Sequence, residues 1–317
     1  MSKPYLIGVD LGGTKISTAL ANAKGKILQT VKIPTEAAAG QTKVIKNLLK
    51  SIDMVLEKQK AKLSQVKLIG VGMPGPVDSN KGIVESPPNL PGWKKVNLRK
   101  ILQQKLKCKV MLENDANLAA LAEGRQGAGK GVKNFVYITV STGIGGGIVI
   151  NGDIYKGESG AAGEVGHFIV DQTGNKCGCG NLGCLEAMAS GLAMRKMAIK
   201  RLNERYSKIL ELVDGDLEKV DAAIIARAAK AGDALAKEII GEVVEILAKG
   251  IAGIVNILNP KLIIIGGGLS NMGPLLFAPL NKLVKKHSLP AAARVVTVVK
   301  AKLGDQAGVI GAVEICL

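Results

Sequence analysis

PYLIGVDLGGTKISTALANAKGKI (residues 4–27) and NFVYITVSTGIGGGIVINGDIYKG (residues 134–157) follow the same plan. Each contains a buried strand, a glycine-rich turn that carries a threonine, a second strand, a short turn and a third strand. The recurrence of this hairpin at the head of two halves of the chain indicates an internal duplication. The sequence therefore predicts a duplicated α/β fold with a cleft between its two halves.

The segments around the two hairpins complete two α/β halves. The first half is predicted to contain strands at 4–11, 16–20, 27–33, 67–72 and 109–113, helices within 40–62, 96–107 and 115–123, and a Pro/Gly-rich loop at 73–92. The second half is predicted to contain, after its hairpin, helices near 185–200, 218–230, 233–257, 271–286 and 306–315, and strands at 262–266 and 294–299. The predicted domains are 1–114, completed by the C-terminal segment 302–317, and 115–301, which carries the cysteine cluster described below.

The composition is that of a globular chain with a strong positive charge. The 317 residues include 47% hydrophobic side chains, and 43 Lys and Arg against 26 Asp and Glu give a formal charge of +17. This balance favours anionic partners such as nucleotides, polyphosphate or nucleic acid. Much of the excess lies in amphipathic segments that are typical of solvated helix faces, and aromatic residues make up only 3%, too few for base-stacking platforms. We therefore expect no nucleic-acid partner.

The beginning of the chain, MSKPYLIGVD, lacks the features of a secretory leader, and no apolar stretch reaches membrane-spanning length. We therefore expect a cytoplasmic protein without a membrane partner. Structural disulfides are uncommon in a reducing compartment, and five cysteines is an odd number. A close cysteine cluster in such a protein indicates metal or redox chemistry.

Three of the cysteines lie in CGCGNLGCLE (177–186), shortly after the histidine of GEVGHF (163–168). The candidate ligands are His167, Cys177, Cys179 and Cys184. One imidazole and three thiolates form a closed tetrahedral Zn²⁺ set, which leaves no position open for catalysis. A redox pair is disfavoured because Cys177 and Cys179 are separated by one residue instead of two. The pattern predicts a structural zinc site.

Three glycine-rich segments are candidates for phosphate or nucleoside binding. In DLGGTK (10–15), Asp10 ends a strand and could hold Mg²⁺ through water, while the two glycines let the backbone approach a phosphate. An ordinary hairpin turn explains that motif equally well. STGIGGG (141–147) offers small hydroxyls and a glycine backbone at the second hairpin. IIIGGGLS (263–270) could let a purine or ribose lie against the chain, but a plain strand-to-helix connection is the favoured interpretation of that motif alone. The repetition in two hairpins favours phosphate binding.

The segment ENDANLAALAEG (113–124) ends a strand in polar residues and begins a helix at or beside Asp115. An Asp at this position can cap the helix, which is the favoured interpretation of the isolated motif. It can also face a cleft and accept a proton from a substrate hydroxyl, with Asn114 beside it to orient that hydroxyl. The residues alone leave both interpretations open.

With DLGGTK, the PGPVD and PNLPGW loops, ENDAN, STGIGGG, GEVGH and CGCGNLGCLE in this order, the chain resembles the ROK family of bacterial sugar kinases and repressors. The resemblance implies an actin-like (ribonuclease H-like) duplicated two-domain α/β kinase fold, with sugar and ATP meeting in an interdomain cleft. It implies that Asp115 is the catalytic base and that the sugar is contacted by Asn89, Asn114, Asp115, Glu164, His167 and Glu186. The residues implied to bind ATP and Mg²⁺ are Asp10, Gly12, Gly13, Thr14, Lys15, Thr142, Gly143, Gly145, Gly267 and Gly268. The zinc ligands of the family match His167, Cys177, Cys179 and Cys184 without a gap.

The activity implied by the resemblance is ATP-dependent phosphorylation of a hexose at its 6-hydroxyl. GEVGH and CGCGNLGCLE resemble the glucokinase branch, so the expected reaction converts glucose to glucose 6-phosphate. Kinases for mannose, N-acetylglucosamine or N-acylmannosamine, and a polyphosphate-using glucokinase, are alternatives, as is a regulator that senses sugar without turnover. Family repressors carry a DNA-binding helical domain ahead of this core; since the core here begins at residue 4, we expect that domain to be absent. The resemblance also implies a homodimer or homotetramer.

Overall fold

The computed structural model describes residues 4–87 and 89–317. Its strands are β1 (Tyr5–Leu11), β2 (Lys15–Asn22), β3 (Ile27–Pro34), β4 (Val66–Met73), β5 (Val77–Asp78), β6 (Ile83–Val84), β7 (Val110–Asn114), β8 (Phe135–Val140), β9 (Ile144–Ile150), β10 (Asp153–Tyr155), β11 (Leu262–Gly266) and β12 (Thr297–Lys300). Its helices are α1 (Gln41–Lys58), α2 (Leu98–Leu106), α3 (Asp115–Gln126), α4 (Leu185–Ala189), α5 (Gly191–Leu202), α6 (Lys208–Glu211), α7 (Ala222–Lys230), α8 (Ala234–Leu258), α9 (Pro274–His287), α10 (Pro290–Val295) and α11 (Ala307–Glu314). Residues 1–3 of the predicted first domain and Pro88 of the PNLPGW loop lie outside the described residues.

The first glycine-turn hairpin begins a sheet whose strands run in the order β3-β2-β1-β4-β7. Strand β1 pairs antiparallel with β2 and parallel with β4, and β4 pairs parallel with β7. The carboxyl ends of parallel strands meet at one edge of a sheet. In this register Asp10 lies opposite Gly72, and Met73 lies opposite Asn114. The polar ends of β1 and β7 therefore share one edge.

Helices cover both faces of the first sheet. On one face, Ile7 and Val9 of β1 pack in a hydrophobic core with buried side chains of α1 and α2. On the opposite face α11 approaches closely: a methyl group at Gly8 would lie 2.7 Å from the Val313 side chain. Because alternate residues of a strand point to opposite faces, β1 is buried on both sides, which explains its nearly continuous apolar sequence.

The second sheet repeats the plan of the first, with the order β10-β9-β8-β11-β12. Strand β10 pairs antiparallel with β9, and β11 pairs parallel with both β8 and β12. Each sheet thus has three strands from a glycine-turn hairpin and two further strands that run parallel to the first strand of that hairpin. The predicted duplication of an α/β fold is confirmed.

The chain divides into two compact units. Of the described residues, the first unit contains those from 4 to 131, 147–163 and 305–317, and the second contains residues 132–146 and 164–304. The first unit thus extends beyond the boundary predicted at residue 114, and it also includes residues 147–163 of the second hairpin. The physical reason is the packing of α3, which contacts α11. In addition, a methyl group at Gly147 of β9 would lie 2.7 Å from the side chain of Ala120.

Local capping explains where the elements differ from the predicted ones. The helix predicted near 185–200 is two helices, because the Ser190 side chain accepts the Ala193 N–H and starts α5. The strand predicted at 294–299 begins only at β12, since Pro290 favours a first helical turn and starts α10. Strands β5 and β6 form a short hairpin inside the predicted loop, and α6 was not predicted.

Helix α8, with 25 residues, is a long helix that carries a broad apolar face. It also carries charged residues along its length, including Lys237, Glu242 and Lys249. In residues 4–87 and 89–317, neither α8 nor any other helix combines the length and the apolarity that crossing a membrane requires.

Candidate active site

The first glycine turn is hydrogen-bonded to Thr35, a residue outside the predicted motifs. The Gly12 N–H donates to the Lys15 carbonyl at 3.0 Å. The Thr35 hydroxyl donates to the Gly12 carbonyl at 2.6 Å, and the Thr35 N–H donates to the Thr14 carbonyl at 2.9 Å. Thr35 is fully buried. Because Thr35 binds two turn carbonyls, it holds the backbone of the predicted phosphate loop in one conformation.

The carboxylate of Asp10 lies beside this turn and against the first turn of α11. A methyl group at Gly308 would lie 2.5 Å from Asp10 Oδ2, so only glycine leaves room for the acid there. Burial raises the pKa of Asp10 to about 6, with Lys15 opposing the shift and Asp305 adding to it. Lys15 itself pairs with Asp305 at 3.0 Å. A partly buried acid of raised pKa at a strand end is a group whose charge a divalent cation would compensate.

We expect Asp10→Asn to stabilise the ligand-free protein at pH 8. The ionised form of Asp10 is disfavoured in the folded state, where the pKa is about 6 against an ordinary 3.8. The penalty on folding is therefore complete above pH 6 and disappears as the pH falls towards 4. Removing the charge should raise the free energy of unfolding by on the order of 2–3 kcal/mol at pH 8, and by little at pH 4.

Urea titrations of both proteins at pH 8 and pH 4, without nucleotide or Mg²⁺, measure this difference. The exposed Asp53→Asn serves as a control, because Asp53 lies on the solvent side of α1. If Asp10→Asn and the native protein had equal free energies of unfolding at pH 8, the charge of Asp10 would not destabilise the folded state.

The structure brings Asn89 of the PNLPGW loop onto the first glycine turn. A methyl group at Gly13 would lie 2.8 Å from Asn89 Cβ and 3.2 Å from the Asn89 carbonyl oxygen. The side chain of Asn89 is exposed. A residue predicted to contact the sugar and a residue predicted to contact ATP are thus neighbours in the first unit.

The corner between β7 and α3 holds Asn114 and Asp115. Asn114 is the N-cap of α3: its Oδ1 accepts the N–H groups of Ala116 at 2.8 Å and Asn117 at 3.1 Å. Its Nδ2 donates to the Gly75 carbonyl at 3.1 Å. Asp115 is the first residue of the helix, and its Oδ1 also accepts the Ala116 N–H at 2.8 Å. Because Asn114 performs the capping, the cap alone does not explain an acid at position 115.

In the second unit, the glycine turn between β8 and β9 is held by Glu186. Glu186 Oε2 accepts the Ile144 N–H at 2.8 Å, and the same oxygen lies so close to Gly143 that a methyl group there would clash. The Ser141 N–H donates to the Gly143 carbonyl at 2.8 Å, and the Gly191 N–H donates to the Ser141 carbonyl at 2.7 Å. A predicted sugar ligand thus stabilises the second predicted phosphate loop, and Gly145 lies just beyond it in β9.

A cavity of about 540 Å³ lies beside this turn in the second unit. Its wall includes Thr142 and Gly268, which were predicted to contact the phosphates and the adenosine. Gly267, with φ +78°, turns the chain out of β11 at this place. Most of the remaining wall surface is apolar and comes from α5, α7 and the segment after β11: Leu192, Ala222, Ala223, Ala226, Leu269 and Met272. The wall also carries charged and polar side chains: Arg195, Asp221, Arg227, Lys230 and Asn271. The size and lining are typical of a pocket for a small organic ligand.

The four predicted metal ligands form one cluster in the second unit. One donor atom from each of His167, Cys177, Cys179 and Cys184 lies within 4.8 Å of the others. The Cys177 Sγ to His167 Nδ1 and Cys179 Sγ to Cys184 Sγ distances are both 3.6 Å. Donors bound to a central zinc at about 2.0–2.3 Å in a tetrahedron are separated by about 3.3–3.8 Å. The donor set and these two distances therefore fit a tetrahedral metal ion.

The hydrogen bonds of the loop hold the cysteine segment in place. Burial raises the pKa of Cys184 to about 12, which disfavours its thiolate form unless a cation lies beside it. The Cys177 N–H donates to the Asn181 carbonyl at 2.8 Å, which closes the loop between the cysteines. Ile169 and Cys184 pair as an antiparallel bridge. The segments on either side of the cluster therefore run together.

This pairing brings two predicted sugar-binding acids near each other. Glu164 precedes His167 by three residues, and Glu186 follows Cys184 by two. Partial desolvation raises the pKa of Glu164; His167 opposes this shift and Glu186 adds to it. Because Glu186 acts electrostatically on Glu164, the two carboxylates are near each other.

Two sheets of one plan, each headed by a glycine-turn hairpin, are characteristic of the actin-like fold. The sequence profile of the ROK family matches residues 6–317. The chain therefore belongs to the ROK family. The resemblance found in the motifs and the predicted fold class are both confirmed.

Relatives within the family include enzymes and regulators. A glucokinase of Thermotoga maritima is 40% identical over 315 residues, which cover 99% of this chain and 98% of that enzyme. The crystal structure of a ROK family glucokinase from Streptomyces griseus, in complex with glucose and AMPPNP, has a TM-score of 0.84 and 34% identity and covers 98% of both chains. A xylose repressor of Caldicellulosiruptor bescii is 32% identical over 312 residues, which cover 98% of this chain and 78% of the repressor.

Proposed function

We propose that the protein transfers the γ-phosphoryl group of ATP to the 6-hydroxyl of a hexose, with glucose as the preferred acceptor. The observation that carries this proposal is Asp115, an acid at the edge of the first sheet whose helix-capping role is already performed by Asn114. The similarity to glucokinases over nearly the whole chain supports glucose as the acceptor. We infer that Asp115 accepts the proton of the 6-hydroxyl as the phosphoryl group is transferred.

Phosphoryl transfer has a loose transition state, so positioning and charge stabilisation supply most of the rate. In the proposed reaction the turn at Gly12, Gly13 and Thr14 and the turn at Thr142 and Gly143 bind phosphate oxygens through backbone N–H groups. In this proposal the ligand set implied by the family resemblance binds the sugar hydroxyls: Asn89, Asn114, Glu164, His167 and Glu186. These bonds orient the 6-hydroxyl towards Asp115.

We propose that two metal ions assist without taking part in proton transfer. Mg²⁺ held near Asp10 would neutralise charge on the phosphates of ATP, and the partly buried carboxylate beside Gly308, with its raised pKa, supports this position. Zn²⁺ at the His167 and cysteine cluster is structural, because four protein ligands fill a tetrahedral set. It would hold together the two segments that carry Glu164 and Glu186.

The cavity of the second unit supports a nucleotide as phosphoryl donor. A nucleoside needs an apolar wall of the kind that Ala226 and Leu269 provide. The same wall carries Arg195, Arg227 and Lys230, whose positive charges suit the phosphates of either donor. The net charge of +17 keeps polyphosphate as the alternative donor. Replacing ATP with polyphosphate in the same assay distinguishes the two.

Filling the cavity should therefore weaken ATP binding selectively. Ala223 is exposed at the cavity wall, so Ala223→Trp places a large ring in the cavity with little change to the core. We expect the KM for ATP to rise about tenfold or more, which corresponds to about 1.4 kcal/mol or more of binding free energy, with the KM for glucose nearly unchanged. The control is Ala291→Trp, at an exposed position of α10 outside the cavity wall. An unchanged KM for ATP would place the nucleoside elsewhere.

Other acceptors and a regulatory role are the competing functions. Kinases for mannose, N-acetylglucosamine or N-acylmannosamine share much of the motif set, and the similarity to a xylose repressor favours a sugar-sensing regulator as the alternative of another class. A coupled assay of ADP formation with MgATP and a panel of hexoses tests the proposal. The highest kcat/KM is expected for glucose. Sugar binding without ADP formation for every hexose would favour the regulator.

We also propose that the protein is a homodimer or homotetramer. Exposed apolar side chains on the second unit support this proposal, since Ile257 is 73% and Leu289 is 64% exposed. The two residues are near each other, because Asn256 Oδ1 accepts the Leu289 N–H at 2.8 Å. Light scattering coupled to gel filtration measures the mass, and a monomer of 33.0 kDa would contradict this proposal.

A further inference from the structure

Glu113 is a buried acid next to the corner that holds the proposed base. Its relative exposure is 4%, so its carboxylate requires partners within the protein. Oε1 accepts the N–H of Asn114 at 3.0 Å and the side-chain Nδ2 of Asn117 at 3.0 Å. Oε2 forms an ion pair with Lys156 Nζ. Both carboxylate oxygens are thus engaged.

The two bonds to Oε1 hold the chain on both sides of Asp115. Asn114 precedes Asp115 as the N-cap of α3, and Asn117 follows it in the first helical turn. Asn117 is 1% exposed, and a methyl group at Gly147 of β9 would lie 3.2 Å from the Asn117 Cα. Strand β9 therefore packs against the first turn of α3, and Glu113 bonds to it. Together these contacts limit rotation of the segment that carries Asp115.

Lys156 supplies the opposite charge from the end of the second hairpin. Its side chain is 43% exposed, while that of Glu113 is 5% exposed, so the ammonium reaches inward from the surface. The Lys156 carbonyl accepts the Ala162 N–H at 3.0 Å, which closes the glycine-rich loop between these residues. The ion pair compensates a buried charge and links this hairpin to the β7–α3 corner.

We propose that Glu113 is a positioning residue for the base Asp115 and that Lys156 is its counter-charge. This inference rests on the proposed function, because it takes Asp115 as the base. Without the Oε1 bonds, the first turn of α3 can shift while the fold persists. A displacement of about 1 Å of a catalytic group can lower a rate by about 10²-fold.

The decisive comparison is between two double variants that both remove the ion pair. Glu113→Gln with Lys156→Gln keeps an oxygen acceptor for Asn114 and Asn117, and the two amides can bond each other in place of the charges. Glu113→Ala with Lys156→Gln removes the acceptor, and replacing Lys156 avoids leaving a lysine without its counter-charge. We expect the single-turnover rate with glucose to stay within about threefold in the first and to fall about 10–100-fold in the second. The KM for glucose should change less than about threefold in both. Lys81→Gln, which removes an exposed ion pair with Asp78, is the control.

A second cycle distinguishes positioning from general stability. In an Asp115→Asn background there is no base to position, so the Glu113→Ala, Lys156→Gln change should lower the remaining rate less than about twofold. A purely structural effect would lower the rate by the same factor in both backgrounds. Equal factors would overturn the proposal, as would a rate within twofold of native for Glu113→Ala with Lys156→Gln.

If Glu113→Ala with Lys156→Gln does not fold, Asn117→Ala provides the test. It removes one of the two hydrogen bonds to Glu113 Oε1, and alanine favours the helix at that position. The single-turnover rate should fall about 3–10-fold, and an unchanged rate overturns the inference. Failure of the proposed function has a different signature: Asp115→Asn alone would keep its rate, whatever the Glu113 variants do.

Discussion

Replacing Asp115 with Asn is expected to lower kcat by about 10²–10⁴-fold, which is the usual contribution of a general base. The amide keeps the shape of the side chain and can still accept the Ala116 N–H, so the start of α3 should be preserved. The affinities for glucose and ATP should change little, because most hydrogen bonds to the two substrates remain. Steady-state kinetics and calorimetric titrations of both ligands measure these quantities.

The matched control is Asp53→Asn, an exposed helical acid of the same unit, which should keep full activity. If Asp115→Asn kept kcat within a few fold of the native value, Asp115 would have no role beyond that of an acid in the first turn of a helix. In that case the assignment of the base would be wrong.

Removing the metal cluster is expected to have the second largest effect. Cys179 is the exposed cysteine of the cluster, so Cys179→Ser disturbs the core less than changes at the buried Cys177 or Cys184. The variant should lose about one zinc per chain, and the KM for glucose should rise about tenfold or more. Without the metal, the glycine-rich loop must be ordered at the full cost in chain entropy, and the segments carrying Glu164 and Glu186 are no longer held together.

Metal analysis by mass spectrometry, on protein purified without chelator, is independent of activity. Cys108→Ser is the control, because Cys108 lies outside the cluster and its variant should retain both the metal and the native KM. The KM for ATP should change less than that for glucose in Cys179→Ser. A zinc-free native protein, or a zinc-free variant with the native KM for glucose, would contradict a structural zinc at the sugar site.

The fold could be predicted from the sequence largely because its signals are local and repeated. The two glycine turns, the apolar strands beside them and the order of the motifs all lie within short segments. The boundary at residue 114 differed from the observed units because α3 joins the first unit through contacts with α11, which lies almost two hundred residues further along the chain. Periodicity along a segment carries no information about such a partner.

In the candidate site, too, some residues could be predicted from local sequence, while others depend on contacts between distant parts of the chain. His167 and the three cysteines have spacing and chemistry that indicate a metal, and the structure brings them together. Thr35, Glu113 and Asp305 were not predicted, because a single Thr, Glu or Asp has no pattern and gains its role from residues brought near by the fold. Glu186 was predicted as a sugar ligand, but its bond to the Ile144 N–H depends on the position of the second glycine turn.

The central claim is that the protein transfers a phosphoryl group from ATP to the 6-hydroxyl of glucose. The most direct test is product identification by ³¹P and ¹³C NMR after incubation of the native protein and Asp115→Asn with glucose and MgATP. The native protein should form glucose 6-phosphate and ADP in equal amounts, and Asp115→Asn should form almost none in the same time. Inorganic phosphate without sugar phosphate, a phosphate on another hydroxyl, or equal product from Asp115→Asn would contradict the account.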